Sequence, residues 1–334
     1  MTCLYEGWAD DPSEAEALVF NGTLRLRPAQ SLGCAAPLFT VISSGTPLFE
    51  VADEESSQFR SYAPVSTVRG ADTRMGARDF SLMARLQIRD TQVTPALQRM
   101  LDSFGPLALW PLAIEGLNRG DDLHSRTTGS NDALSHFIRT YSDSQLADDI
   151  SATPLFFLTL WMAAAQLILR AAEGGDVAGL ITRAGGNGEQ FGIALAQAPD
   201  QWITCKASPP KGPLLPHIAT DWPLAGAVGD SAIIDFLGFG GQRLHHAPEP
   251  FNAIKSYLPA SVLAQCKDYL LTPQPILPDH WPLGISVADL VAKQRSPTVM
   301  LALVAADGLT GLAGRGFYQA PLALFEAATA TLKR

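Results

Sequence analysis

Lysine and arginine are scarce here and never run together: 24 of them face 33 acidic residues in 334, a formal charge of −9. Phosphate neutralisation supplies most nucleic-acid affinity, so no nucleic-acid partner is expected. Cysteine is sparse too. Cys3, Cys34, Cys205 and Cys266 form no C-x-x-C pair, which argues against a zinc ribbon or dithiol site and fits reduced cytosolic thiols. The N-terminus carries Glu6, Asp10 and Asp11 and no cationic stretch, so it does not read as a secretory signal, and a cytoplasmic location is expected. The glycines at 308, 311, 314 and 316 lack a following Gly-Lys-Ser/Thr, and His245-His246 lacks ligand spacing. No ATP, other cofactor or metal is expected. The most apolar run, Pro154 to Leu169, is about sixteen residues long and is interrupted by Thr159 and Gln166, whereas a membrane span wants roughly twenty clean positions. It reads as a buried core helix, and no membrane partner is expected.

Against these absences stands a composition 47% hydrophobic and 17% charged, that of a folded globular chain. Ser13-Glu14-Ala15-Glu16 has capping-box spacing and opens a short helix that Asn21-Gly22 ends. Leu24 to Arg27 alternates as a strand does; Leu38 to Ile42 and Leu48 to Val51 read as a hairpin around Ser43 to Pro47; Asp53 to Met75 reads as an exposed connection. Helical periodicity then dominates from Asp79 to Ala172. Val177 to Arg183 suits a short helix or strand, Ala184 to Gln190 a glycine-rich turn, and Phe191 to Ala196 with Gln201 to Cys205 two antiparallel strands. A helix is expected at Asp230 to Asp235, another near Ala260 to Leu271, a strand at Val299 to Ala305, a glycine-rich turn, and a terminal helix from Pro321 to Leu332. The fold class is α+β, with strands near both ends and around 190–205 enclosing a helical insert. Expected boundaries are an N-terminal α/β segment over 1–76, a helical region over 77–185, and a C-terminal α+β segment over 186–334.

Chemistry concentrates at one place. Arg119-Gly120-Asp121-Asp122-Leu123-His124-Ser125-Arg126-Thr127-Thr128-Gly129-Ser130-Asn131 compresses acid/base and anion-binding residues between two helical patterns, where a helix N-terminus offers free N–H groups. The same residues also suit a plain helix cap, with Asp122 and Ser130 satisfying backbone donors.

Taken in order, Ala36 to Ser43, Arg119 to Asn131, Asn187 to Ile193, Gly229 to Ile233 and Gly308 to Pro321 resemble the YlbE-like family, which includes the large subunit of oxamate carbamoyltransferase from allantoin catabolism. The resemblance covers about Ala15 to the C-terminus. It implies an α+β fold with a helical insert, companion subunits, and transfer of a carbamoyl group between oxalurate and phosphate to give oxamate and carbamoyl phosphate. There are departures: Gln30 to Leu32 where the family favours histidines, Thr127 after the arginine of the corner, and Ala306-Asp307 in place of a His-Lys-type pair. The family's additional N-terminal nucleotide-fold-like domain is expected to be missing.

For such chemistry His124 is the natural proton carrier, because its ordinary pKa lies near neutrality. Asp121 or Asp122 would orient it. Arg126 would bind a carboxylate or phosphate bidentately, and Thr127 would donate a hydrogen bond. Asn187 and Glu189 in the glycine-rich turn, Lys206 as a second cation and Asp230 complete the expected substrate contacts. The expected ligands are a small amide or ureido acid and phosphate or carbamoyl phosphate, bound by a homo- or hetero-oligomer. Two other readings use the same residues: a catalytically altered ligand-binding or scaffold subunit, and an amide-cleaving or amide-forming enzyme. Asp121, His124, Arg126 and Asn187 gathered in one cavity would favour an enzyme, and their dispersal a scaffold.

Overall fold

The computed structural model describes all residues except 57, 71–77, 143, 176, 178, 264–267 and 333–334. Its centre is the helix Phe156–Arg170, in which every residue but Ile168 and Arg170 is buried. Trp161 packs against Trp110, Phe157 and Phe239, and Phe156 meets Phe49 edge-on, so one aromatic cluster joins the helical region to the segments before and after it. The two polar residues that interrupt the apolar run anchor the helix. Gln166 accepts from Ser61 Oγ at 2.6 Å and donates to the Cys34 carbonyl at 3.2 Å, and Thr159 shares a 3.0 Å hydrogen bond with Ser66. Buried polar groups need such partners. Among the described residues no single helix is long and apolar enough to cross a membrane.

Among the described residues the strands form four small antiparallel sheets, an α+β arrangement. β1 (Leu48–Ala52) pairs with β2 (Arg60–Pro64). β3 (Ile181–Asn187), β4 (Gln190–Leu195), β5 (Ala198–Lys206) and β6 (Val228–Gly229) lie in the order β5-β4-β3-β6. β7 (Leu270–Pro273) pairs with β8 (Pro282–Ile285), and β9 (Val299–Val304) with β10 (Leu312–Tyr318). A second core, around Phe191, Phe236, Ile285, Leu301 and Phe325, lies under these strands, and the terminal helix Leu322–Thr331 packs into it.

Several local expectations need correction. Leu24 to Arg27 is not a strand; Leu26 is 65% exposed, so no burial drives its alternation. Leu38 to Ile42 is a loop, turned by Leu38 at φ 38°, and β1 pairs instead with residues from the supposed connection, where Ser61 and Ala63 are fully buried. The first long helix is capped by Asp11, which accepts from the Ser13 and Glu14 amides, with Pro12 at its first turn. The glycines at 185 and 186 lie within β3, and those at 314 and 316 within β10. They are there because another chain segment crosses them: a Cβ on Gly186 would come 2.2 Å from the Ala227 carbonyl oxygen. Of the helix expected near Ala260 to Leu271, Ala260–Leu263 is helical, 264–267 lie outside the described residues, and Leu270 begins β7. Cys266 and Met75 also lie outside them.

Candidate functional site

The helix Leu109–Asn118 ends in a Schellman motif. Gly120, at φ 83°, sits in the left-handed region, its N–H donating to Leu117 and the next N–H, that of Asp121, to Gly116. The chain then turns over residues 121–127 into the helix Thr128–Tyr141. Asp121, fully buried, caps that helix by accepting from the Gly129 amide at 3.1 Å and the Ser130 amide at 2.8 Å, and it also pairs with Arg126. Asp122, equally buried, accepts from the amides of His124 (3.0 Å) and Arg126 (2.8 Å) and from the Ser125 hydroxyl. The capping role thus falls to Asp121, while Asp122 shapes the loop. Between them the two carboxylates hold Leu123 at φ 64°, a position non-glycine residues seldom adopt, and that turn presents His124.

His124 is 6% exposed, and its Nδ1 lies 2.6 Å from Oδ2 of Asp235, a carboxylate with no exposure at all. A carboxylate only accepts, so it fixes the proton on Nδ1 and leaves Nε2 as the working nitrogen. Among the described residues Nε2 has no hydrogen-bond partner. The other oxygen of Asp235 accepts from the amides of Gly241 (2.8 Å) and Met300 (3.1 Å). Burial alone would lower the imidazole pKa, but the charge and hydrogen bond of Asp235, with Asp122 adding, raise it above its ordinary value. Asp235 stands in the helix Ala232–Leu237, 111 residues from His124, and sequence reasoning missed it.

Arg126 is already engaged: Nε donates to Glu249 at 2.9 Å, and Nη1 reaches Asp121 and the Arg119 carbonyl. Thr127 is buried and donates to the Pro154 carbonyl at 3.1 Å. The structure therefore gathers Asp121, Asp122, His124, Arg126 and Thr127 at the corner and adds Asp235 to them. The remaining expected residues lie elsewhere. Asn187 and Glu189 are exposed at the β3–β4 hairpin tip, where the Asn187 carboxamide accepts from the amides of Glu189 and Gln190, and exposed Lys206 pairs in register with Gln190. Among the described residues none of the three makes a polar contact with the corner. Asp230 makes a third cluster. Gln30, 1% exposed, donates to it and to the Ala184 carbonyl, each at 2.8 Å, and the Ala36 amide donates to it at 3.0 Å. Burial pushes the Asp230 carboxyl up to about 6 against these donors. Gln30 is thus a structural partner of Asp230, and through it the loop after Cys34 is held to β6.

A buried histidine with one nitrogen fixed by a carboxylate and the other unbonded, presented by a cross-braced loop of an α+β protein, is an arrangement that can carry a proton to or from a ligand. The chain belongs to the oxamate carbamoyltransferase subunit AllG family, whose pattern matches residues 24–231. It is 24% identical to the oxamate carbamoyltransferase subunit AllG of Escherichia coli (strain K12), across 99% of this chain and 83% of that one. It is 25% identical to the uncharacterized protein YahG of the same organism, across 97% of this chain and 72% of YahG. The crystal structure of a conserved protein of unknown function from Enterococcus faecalis V583 superposes with a TM-score of 0.90 at 21% identity, covering 99% of this chain and 83% of that one, which establishes the shared fold.

Proposed function

We propose that the chain is a subunit of a carbamoyltransferase that moves a carbamoyl group between oxalurate and phosphate, with His124 as its proton carrier. The observation that carries this reading is the buried His124–Asp235 pair with Nε2 unbonded, in a chain of this family. In the forward direction a phosphate oxygen attacks the carbamoyl carbon, a C–O bond forms, and the C–N bond to the oxamate nitrogen breaks. That nitrogen leaves as a neutral amide only if it gains a proton, which His124 donates from Nε2, its raised pKa keeping the imidazolium populated near neutrality. Asp235 holds the ring and balances the imidazolium charge. Asp121 and Asp122 act as positioning residues through the loop that carries His124, and Arg126 offers Nη2, the guanidinium nitrogen without a partner there, to an anionic substrate end.

The name of the Escherichia coli relative, a subunit, supports assembly with companion subunits. The test is formation of carbamoyl phosphate from oxalurate and phosphate by the purified chain, alone and with the companions of its complex. Product in either arm supports the reading; its absence from every combination of folded protein overturns it for this substrate. A second reading, a ligand-binding or scaffold subunit, is favoured by one observation: Asn187 is spent on an exposed turn. Oxamate or oxalurate bound by the assembled complex without turnover would establish it.

A further inference from the structure

Among the described residues three arginines are buried, Arg89, Arg183 and Arg243. Arg89 pairs with Asp90, and Arg183 with Glu173 and Asp200. Arg243 is the most enclosed at 2% exposure, yet its Nε and Nη1 are buried with no hydrogen-bond partner among the described residues. Its guanidinium lies over the indole of Trp281, 4.4 Å from the ring centroid; that indole is itself fully buried and locked by a 2.7 Å hydrogen bond from Nε1 to the Gly238 carbonyl. The stacked ring holds the planar fork in place but satisfies none of its in-plane donors. Burial lowers the Arg243 pKa to about 10, with exposed Asp279 opposing, so the group stays cationic at neutral pH. A buried cation with unused donors is costly unless an anion completes it.

The position of this fork matters. The Arg243 amide donates to the Gly240 carbonyl at 3.0 Å, and the Gly240 amide donates to the Asp122 carbonyl at 2.7 Å. A Cβ on Gly240 would lie 3.0 Å from Cβ of His124, so the segment bearing Arg243 is pressed against the His124 loop. Asp279 and His280, just before Trp281, both hold positive φ, 58° and 49°. Arg126, the cation singled out by the sequence, is committed through Nε and Nη1 to Glu249 and Asp121 and keeps only Nη2 for an anion.

We infer that Arg243, clamped on Trp281 in the segment packed against the His124 loop, forms an oxyanion subsite that receives the carboxylate or phosphate end of a ligand. The charge and geometry of the site stand on their own; naming the ligand as oxamate or phosphate rests on the proposed function. Nη1 and Nη2 form the edge that donates to two oxygens of the anion.

Calorimetric titration of the chain, alone and with its companion subunits, with oxamate and separately with inorganic phosphate tests the subsite. Wild type is expected to bind one of the two, and which one it binds distinguishes carboxylate from phosphate recognition. Arg243→Lys, which keeps the charge and loses the fork, should bind it at least tenfold more weakly, and Arg243→Met should show no measurable binding while melting no lower than wild type. Unchanged affinity in either variant overturns the subsite, as does failure of wild type to bind either anion; should Arg243→Met not fold, the lysine variant decides alone. Carbamoyl transfer without Arg243-dependent binding removes the subsite and leaves the function, whereas Arg243-dependent binding without transfer in any combination removes the function and leaves the subsite.

Discussion

At the scale of the residue, Asp235 serves three donors at once: His124 Nδ1 and the amides of Gly241 and Met300. Asp235→Ala strands all three in a buried place, and the expected loss is about 3–5 kcal/mol, read from urea denaturation. A loss below about 1 kcal/mol would show that the carboxylate does not hold this corner together. Titration gives a second handle. His124 binds its proton more tightly folded than unfolded, so the stability it supplies is complete below its unfolded pKa of about 6.5 and is lost as pH rises through the higher folded value. Asp230 follows the same sign: its folded pKa is raised to about 6, so stability is full below about 4 and falls between there and 6, on the order of 2–3 kcal/mol. Unfolding free energy measured against pH should decline over pH 4–6 in the wild type and lose that decline in Asp230→Asn; an identical slope in both would assign the effect elsewhere. His124 was conspicuous in the sequence because an imidazole stood among acids and hydroxyls. Asp235 was not, because nothing within its own helix shows that a histidine 111 residues away needs it.

At the scale of the element, two close approaches set the site. Gly116 lets the end of one helix lie on the start of the next: a Cβ there would meet Ser130 Oγ at 1.9 Å and Asp121 Oδ2 at 2.4 Å. Gly116→Ala is expected to cost about 1–3 kcal/mol and to displace the Asp121 cap, lowering the melting temperature by several degrees; an unchanged melting temperature would mean that the two helices separate freely. The helices around the corner were legible because a 3.6-residue apolar period survives wherever one face is buried, as in Thr94–Phe104 with Ala96, Leu97 and Met100 inside. The short strands were less so. Alternation at Leu24 to Arg27 has no pairing partner, and β2 was hidden because Arg60-Ser61-Tyr62-Ala63-Pro64 buries small and polar side chains rather than a run of β-branched ones. Glycines mark turns in a one-dimensional reading; in β3 and β10 they mark places where another segment's backbone crosses the strand, which only the packed chain reveals.

For the whole molecule, one core built on Phe156–Arg170 holds the helical region and a second lies beneath the small sheets. The helix Ala232–Leu237 contributes Ile233, Ile234 and Leu237 to the first and Ala232 and Phe236 to the second, so Asp235 is fixed by both. That is why His124, carried by a loop of the helical region, has its partner in the C-terminal part. The α+β class followed from the alternation of helical and strand periods, and the candidate corner from its composition. Which side chains met there depended on contacts across more than a hundred residues. Asn187 and Glu189 at the β3–β4 hairpin tip and Lys206 at the end of β5 stand exposed, apart from the corner. The most direct measurement is the rate of carbamoyl phosphate formation from oxalurate and phosphate by the assembled complex, wild type against His124→Gln. The account predicts a fall of about 10²–10⁴-fold, with the variant folded and still bound to its companions; a variant that turns over at the wild-type rate would contradict it.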